Sequence, residues 1–87
     1  MDGTYAQLVW RVAMMNNTSV RHRDIELLIV MFRNESLGCE DTVIMIKENI
    51  SALIVVVRLN LLWMNAMVKR DEVALDAISF LPTILTK

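Results

Sequence analysis

The stretch ENISALIVVVRLNLLWMNAMVKR, residues 48–70, constrains this chain more than any other. Most of it is Ile, Val, Leu, Met and Trp. Such a run has three physical readings: a membrane span, a buried strand, or a helix with almost no water-facing side. Placed on a wheel at 100° per residue, Lys47, Ser51, Arg58, Asn65 and Lys69 fall within about 40° of one another. Spacings of 4, 7, 7 and 4 cannot share one face of a strand, whose side chains alternate. The pattern predicts one continuous helix over 42–70, about 43 Å long at 1.5 Å per residue, with a single narrow polar stripe. Asn49 and Asn60 lie together on the opposite side, where burial obliges them to find hydrogen-bond partners.

A membrane span stays a rival, because Ile50 to Val68 has the necessary length. Arg58 would then sit near the middle of the span, at a cost of about 2.5–3.5 kcal/mol. Asn60 and Asn65 would add to that cost, and the polar stripe runs to both ends as a water-facing line does. A water-exposed stripe on a helix otherwise covered by protein is the reading these residues favour.

The cover is the difficulty. With 87 residues there is room for one small domain, yet 55% of the chain is apolar against a usual 45–50%. A domain of this size cannot hide so much apolar surface within itself. The excess predicts a partner chain, a self-association surface or a membrane. Net charge is −1, so overall charge does not favour nucleic acid and any basic patch must be local.

Two Gly and one Pro are the only strong breakers, which favours long helices. Asp2 or Thr4 can cap a first helix over roughly 4–16, with Tyr5, Leu8, Val12 and Met15 at helical spacing. NNTSV breaks the pattern. A second helix is expected from about Arg21 to Arg33, with Ile25, Leu28, Ile29 and Phe32 as its apolar face. NESLGCED, with Gly38, is a loop, and Asp41 or Thr42 can cap the long helix that follows. A further break falls at KRDE, residues 69–72. The last element, ALDAISFLPTIL, is short, bent or restarted at Pro82, which lacks a backbone N–H.

Short helix, long central helix and short helix is the plan of the histone fold, preceded here by an extra N-terminal helix. The domain division that follows is 1–20 for the extra helix and 21–87 for the histone-fold domain. The stretches FRNESLGCEDTVIMI, VALDAI and FLPTIL are similar to the first loop, the second loop and the Leu-Pro ending of one histone-fold family. On these motifs the chain resembles the centromere protein X family, over roughly Arg21 to Lys87. The resemblance implies an all-α subunit that pairs with a histone-fold partner resembling centromere protein S. It further implies assembly of such pairs on double-stranded DNA in the nucleus, at kinetochores or with a Fanconi-type helicase at stalled replication forks. The pairing face would comprise Ile46, Ile50, Leu53, Val56, Val57, Asn60, Trp63, Met64 and Met67 of the central helix.

Arg21, Arg23, Arg33, Lys69 and Arg70 stand where a histone-type pair meets duplex phosphates. They equally suit helix ends, where cations complement the dipole or face water. His22 is the only histidine and has no ligand-spaced Cys or carboxylate, so no metal site is expected. Cys39 stands alone, which excludes a disulfide framework and fits a reducing, intracellular compartment. The opening residues lack the basic region of a signal peptide. No Gly-rich phosphate loop, triad or paired acid–base carboxylates appear, so the expectation is a non-enzyme without catalytic residues, cofactor or small-molecule substrate. Two rivals stay open beside a membrane protein. One is another histone-fold subunit of a transcription complex; the other is a helical interaction module with no DNA role.

Overall fold

The structure is a computed structural model that describes residues 2–33 and 39–85. The described residues form six helices and no strand, in the order α1 (Asp2–Met15), α2 (His22–Phe32), α3 (Cys39–Glu48), α4 (Ile50–Lys69), α5 (Glu72–Ala77) and α6 (Leu81–Leu85). The all-helical expectation holds.

α1 forms because Ala6, Val9, Val12 and Ala13 recur at helical spacing, and all four are buried. It ends in a Schellman motif. Asn17 takes φ 58, the Thr18 N–H donates to the Ala13 carbonyl at 2.8 Å, and the Asn17 N–H donates to the Met14 carbonyl at 3.1 Å. Asn tolerates the left-handed region better than most residues, so NNTSV turns the chain and sends α2 back along α1. α2 buries Ile25, Leu28, Ile29 and Met31. α1 packs on both α2 and α5, with the small Ala6 and Ala13 fully buried.

The continuous helix expected over 42–70 is divided at Asn49. Asn49 leaves the helical region (φ −99, ψ 107), and its side-chain oxygen accepts from the Ala52 N–H at 3.1 Å. An Asn carbonyl competes with the backbone for exactly the donors a helix start leaves free. Here it caps α4 and lets α3 swing onto α2 and α4. Cys39, Glu40 and Asp41 open α3 instead of lying in a loop, so the expected caps Asp41 and Thr42 lie inside the helix; the remainder of that expected loop, 34–38, falls outside the described residues.

α4 packs on α2, α3, α5 and α6 through Ala52, Val55, Val56, Leu59, Leu62 and Ala66. Its C-terminus is a second Schellman motif, with Arg70 at φ 56 and the Asp71 N–H donating to the Ala66 carbonyl at 2.9 Å. Asp71 then caps α5 by accepting from the Ala74 N–H at 3.2 Å. Pro82 sits at the second position of α6, where its missing N–H costs no intrahelical bond. Ile78, Leu81 and Ile84 close the far end of a single core shared by all six helices.

Candidate interaction surface

α4 shows two faces of opposite fate. At 100° per residue its six buried side chains centre on one side of the helix. On the opposite side lie Ile50, Leu53, Ile54, Val57, Leu61, Met64 and Val68, with Met67 at the border of the buried face, all more than a third exposed. Val68 is 83% exposed, Ile50 73% and Leu61 61%. These eight side chains present on the order of 800 Å² of apolar surface, more than the 300–600 Å² of the largest patch on a typical monomer. The strip runs the full length of the helix, about 30 Å.

The polar residues of α4 flank this strip. Arg58, Asn65 and Lys69 are exposed and Ser51 is half-buried, all on one edge, as the wheel predicts. The Arg58 guanidinium donates to the Ser19 carbonyl. Asn60, on the other edge, is half-buried. The sequence pattern hides the apolar strip because the whole helix is apolar; what marks it is spacing. Ile50, Ile54, Val57, Leu61, Met64 and Val68 follow intervals of 4, 3, 4, 3 and 4.

The residues expected at a pairing face divide. Ile46 and Val56 are buried in the chain's own core. Asn60 and Trp63 are half-buried, with Trp63 packed against that core. Ile50, Leu53, Val57, Met64 and Met67 face outward. The face left for another molecule is therefore narrower than the wheel implies, and it also includes Ile54, Leu61 and Val68.

The five basic residues lie at helix ends, Arg21, Arg23 and Arg33 at those of α2 and Lys69 and Arg70 at that of α4. Arg21 and Arg33 flank α2, about 18 Å from each other along the helix. Arg21 pairs with Asp24 through two contacts, at 2.7 and 3.1 Å. The Arg33 guanidinium lies over the Tyr5 ring, 5.6 Å from its centroid, a cation–π contact. Tyr5 also meets Phe80 edge-on at 6.0 Å, and Phe80 meets Phe32 at 6.0 Å, so Arg33 caps an aromatic cluster. Arg23 is exposed on the first turn of α2, and Lys69 and Arg70 are exposed at the end of α4.

The remaining polar groups have local roles. His22 Nδ1 lies 2.9 Å from Glu26 Oε1, and its ring meets Trp10 edge-on at 6.2 Å. The Tyr5 hydroxyl donates to the Ala77 carbonyl at 2.7 Å. Burial pushes its pKa up; the Arg33 cation opposes this, and Asp76 reinforces it. No cluster of His, Cys and carboxylates able to hold a metal occurs among the described residues. α4 is long and apolar enough to cross a membrane by length and composition alone. No protein-family model matches the chain, and neither the curated proteins nor the solved structures gave a match.

Proposed function

We propose that this chain is a non-enzymatic helical subunit that works by seating the outer face of α4 against another protein. The observation that carries the reading is the apolar strip from Ile50 to Val68, left open by a fold whose own helices cover only the opposite face. Exposed apolar surface of that extent is costly in water and is normally covered in use. A lipid bilayer is the less suitable cover. Arg58, Asn60 and Asn65 lie within the helix, and its other face is committed to packing on α2, α3, α5 and α6.

The test is photo-crosslinking in cells with a benzoylphenylalanine in place of Leu61. Adducts with a defined protein are expected. Adducts with lipid alone, or flotation of the purified chain with phosphatidylcholine vesicles, would overturn the reading.

A second reading adds DNA. The supports are the resemblance of the loop and Leu-Pro stretches to a histone-type subunit and the exposed cations Arg23, Lys69 and Arg70, although the central helix of that plan is divided here into α3 and α4. Paired with a centromere protein S-like chain in the nucleus, those residues together with Arg21 and Arg33 would line a duplex phosphate surface. Fluorescence anisotropy of the paired complex on two unrelated duplexes tests it. Changing Arg33, Lys69 and Arg70 to Ala should weaken binding to both alike and lower the salt slope by about one per lost contact. Wild-type affinity in the triple variant removes this reading and leaves the first.

A further inference from the structure

We infer that the occupant of the α4 face is a second copy of this chain, docked antiparallel about a dyad level with Leu59. The inference rests on the interaction reading above and adds the partner.

The spacing of the strip carries it. Ile50, Val57 and Met64 are seven residues apart, and so are Ile54, Leu61 and Val68. Two interleaved heptad rows make the seam of a left-handed two-helix coil. The intervals 4, 3, 4, 3, 4 read the same in both directions. A two-fold interface must be self-complementary, each residue meeting its counterpart's counterpart. Turned end for end about residue 59, the seam sets Ile50 against Val68, Ile54 against Met64 and Val57 against Leu61. Every layer then joins one row to the other, with a smaller side chain facing a larger one at the centre and at both ends.

The edges agree. Asn60 lies on one edge beside the dyad, so its two copies meet and can exchange amide hydrogen bonds, which pins the register. Leu53 and Met67, on that same edge, come alongside each other. On the other edge the two copies of Arg58 approach, but each guanidinium is already bonded to the Ser19 carbonyl of its own chain. Lys69 and Arg70 make the C-terminal end of α4 cationic, and both are exposed. The antiparallel arrangement keeps the two cationic ends at opposite ends of the pair. A parallel arrangement would gather them at one end. The helix dipoles also oppose one another in the antiparallel pair. The area fits as well: roughly 800 Å² per chain is the share each partner gives to a standard-sized interface.

The experiment uses the whole chain with Cys39→Ser as background. Light scattering should give twice the chain mass, and Leu61→Glu should dissociate at least about a hundredfold more readily, because a carboxylate would be buried unpaired. Leu61 is exposed in the single chain, so the variant keeps its helical circular dichroism. Orientation is read by disulfides. Val57→Cys chains mixed with Leu61→Cys chains should link to each other under mild oxidation, while each alone links poorly. Ready linking of either variant with itself overturns the antiparallel dimer. Standard-sized interfaces bind at about micromolar or tighter, so a folded wild-type monomer at about 100 µM overturns self-pairing. If the cellular Leu61 adduct then carries a different protein, the interaction reading stands and only the second copy is lost; with no adduct at all, both fall.

Discussion

The Arg58 guanidinium, halfway along α4, donates to the Ser19 main-chain carbonyl in the turn between α1 and α2. One bond thus joins two segments 39 residues apart on the surface of the molecule. Both groups are exposed, so each returns to water when the bond is lost. Arg58→Ala should therefore cost no more than about 1 kcal/mol in urea unfolding. A loss of about 3 kcal/mol would mean that the helix edge is buried in the protein's working state.

Tyr5 should make stability depend on alkaline pH. Burial, together with donation to the Ala77 carbonyl, favours the neutral phenol in the folded chain, so its pKa is raised above 10.0. A group with a raised folded pKa contributes its full stability below the unfolded value and loses it as pH rises through the folded value. Wild type should lose stability above about pH 10 more steeply than Tyr5→Phe. As the chain has one tyrosine, phenolate absorbance reports this group alone. Ionisation at the ordinary value in folded protein would refute the assignment. At neutral pH, Tyr5→Phe should cost about 1 kcal/mol for the lost hydrogen bond.

Asn49 should matter as a cap. Asn49→Ala removes the acceptor for the Ala52 N–H and should cost about 1 kcal/mol. For a domain of this size that is a fall in Tm of about 4–8 °C. Asn49→Asp keeps an acceptor at a helix N-terminus and should melt near wild type. Equal melting of all three proteins would show that packing alone enforces the break.

Arg70 offers a gain. It holds φ 56 at the position after α4 that glycine occupies most often. Arg70→Gly should relieve a left-handed strain of about 1 kcal/mol and raise the melting temperature by a few degrees. Arg70→Ala keeps the Cβ and should not.

Much of this architecture is legible from the residues. A helix over about 4–16 is expected and Asp2–Met15 is found; Arg21 to Arg33 is expected and His22–Phe32 is found. The break at residues 69–72 is found between α4 and α5, and the restart near Pro82 appears as α6. These features depend on side chains three or four residues apart, on caps and on proline, all of which the sequence displays directly. The division at Asn49 is different. A wheel drawn through residues 42–70 is satisfied by an unbroken helix, and only the choice of the Asn49 side chain to bond Ala52 ends it. The pairing face is half legible for a related reason. Hydropathy cannot tell which side of an all-apolar helix the chain's own helices claim. Val56 and Val57 are adjacent and chemically identical, yet one is 5% exposed and the other 53%.

The position of α1 between α2 and α5 has a consequence for the order of events on the ribosome. The α1 and α2 hairpin is local and can form as soon as both helices have emerged. Its contact with α5, including the bond from Tyr5 to Ala77, joins residues 72 positions apart. At 5–20 residues per second, roughly 4 to 14 s pass between the synthesis of those two residues. Throughout that interval α1 lacks the cover that α5 supplies. The nascent chain therefore presents a sticky helical hairpin before it has a core, and that hairpin is where a chaperone would engage it first.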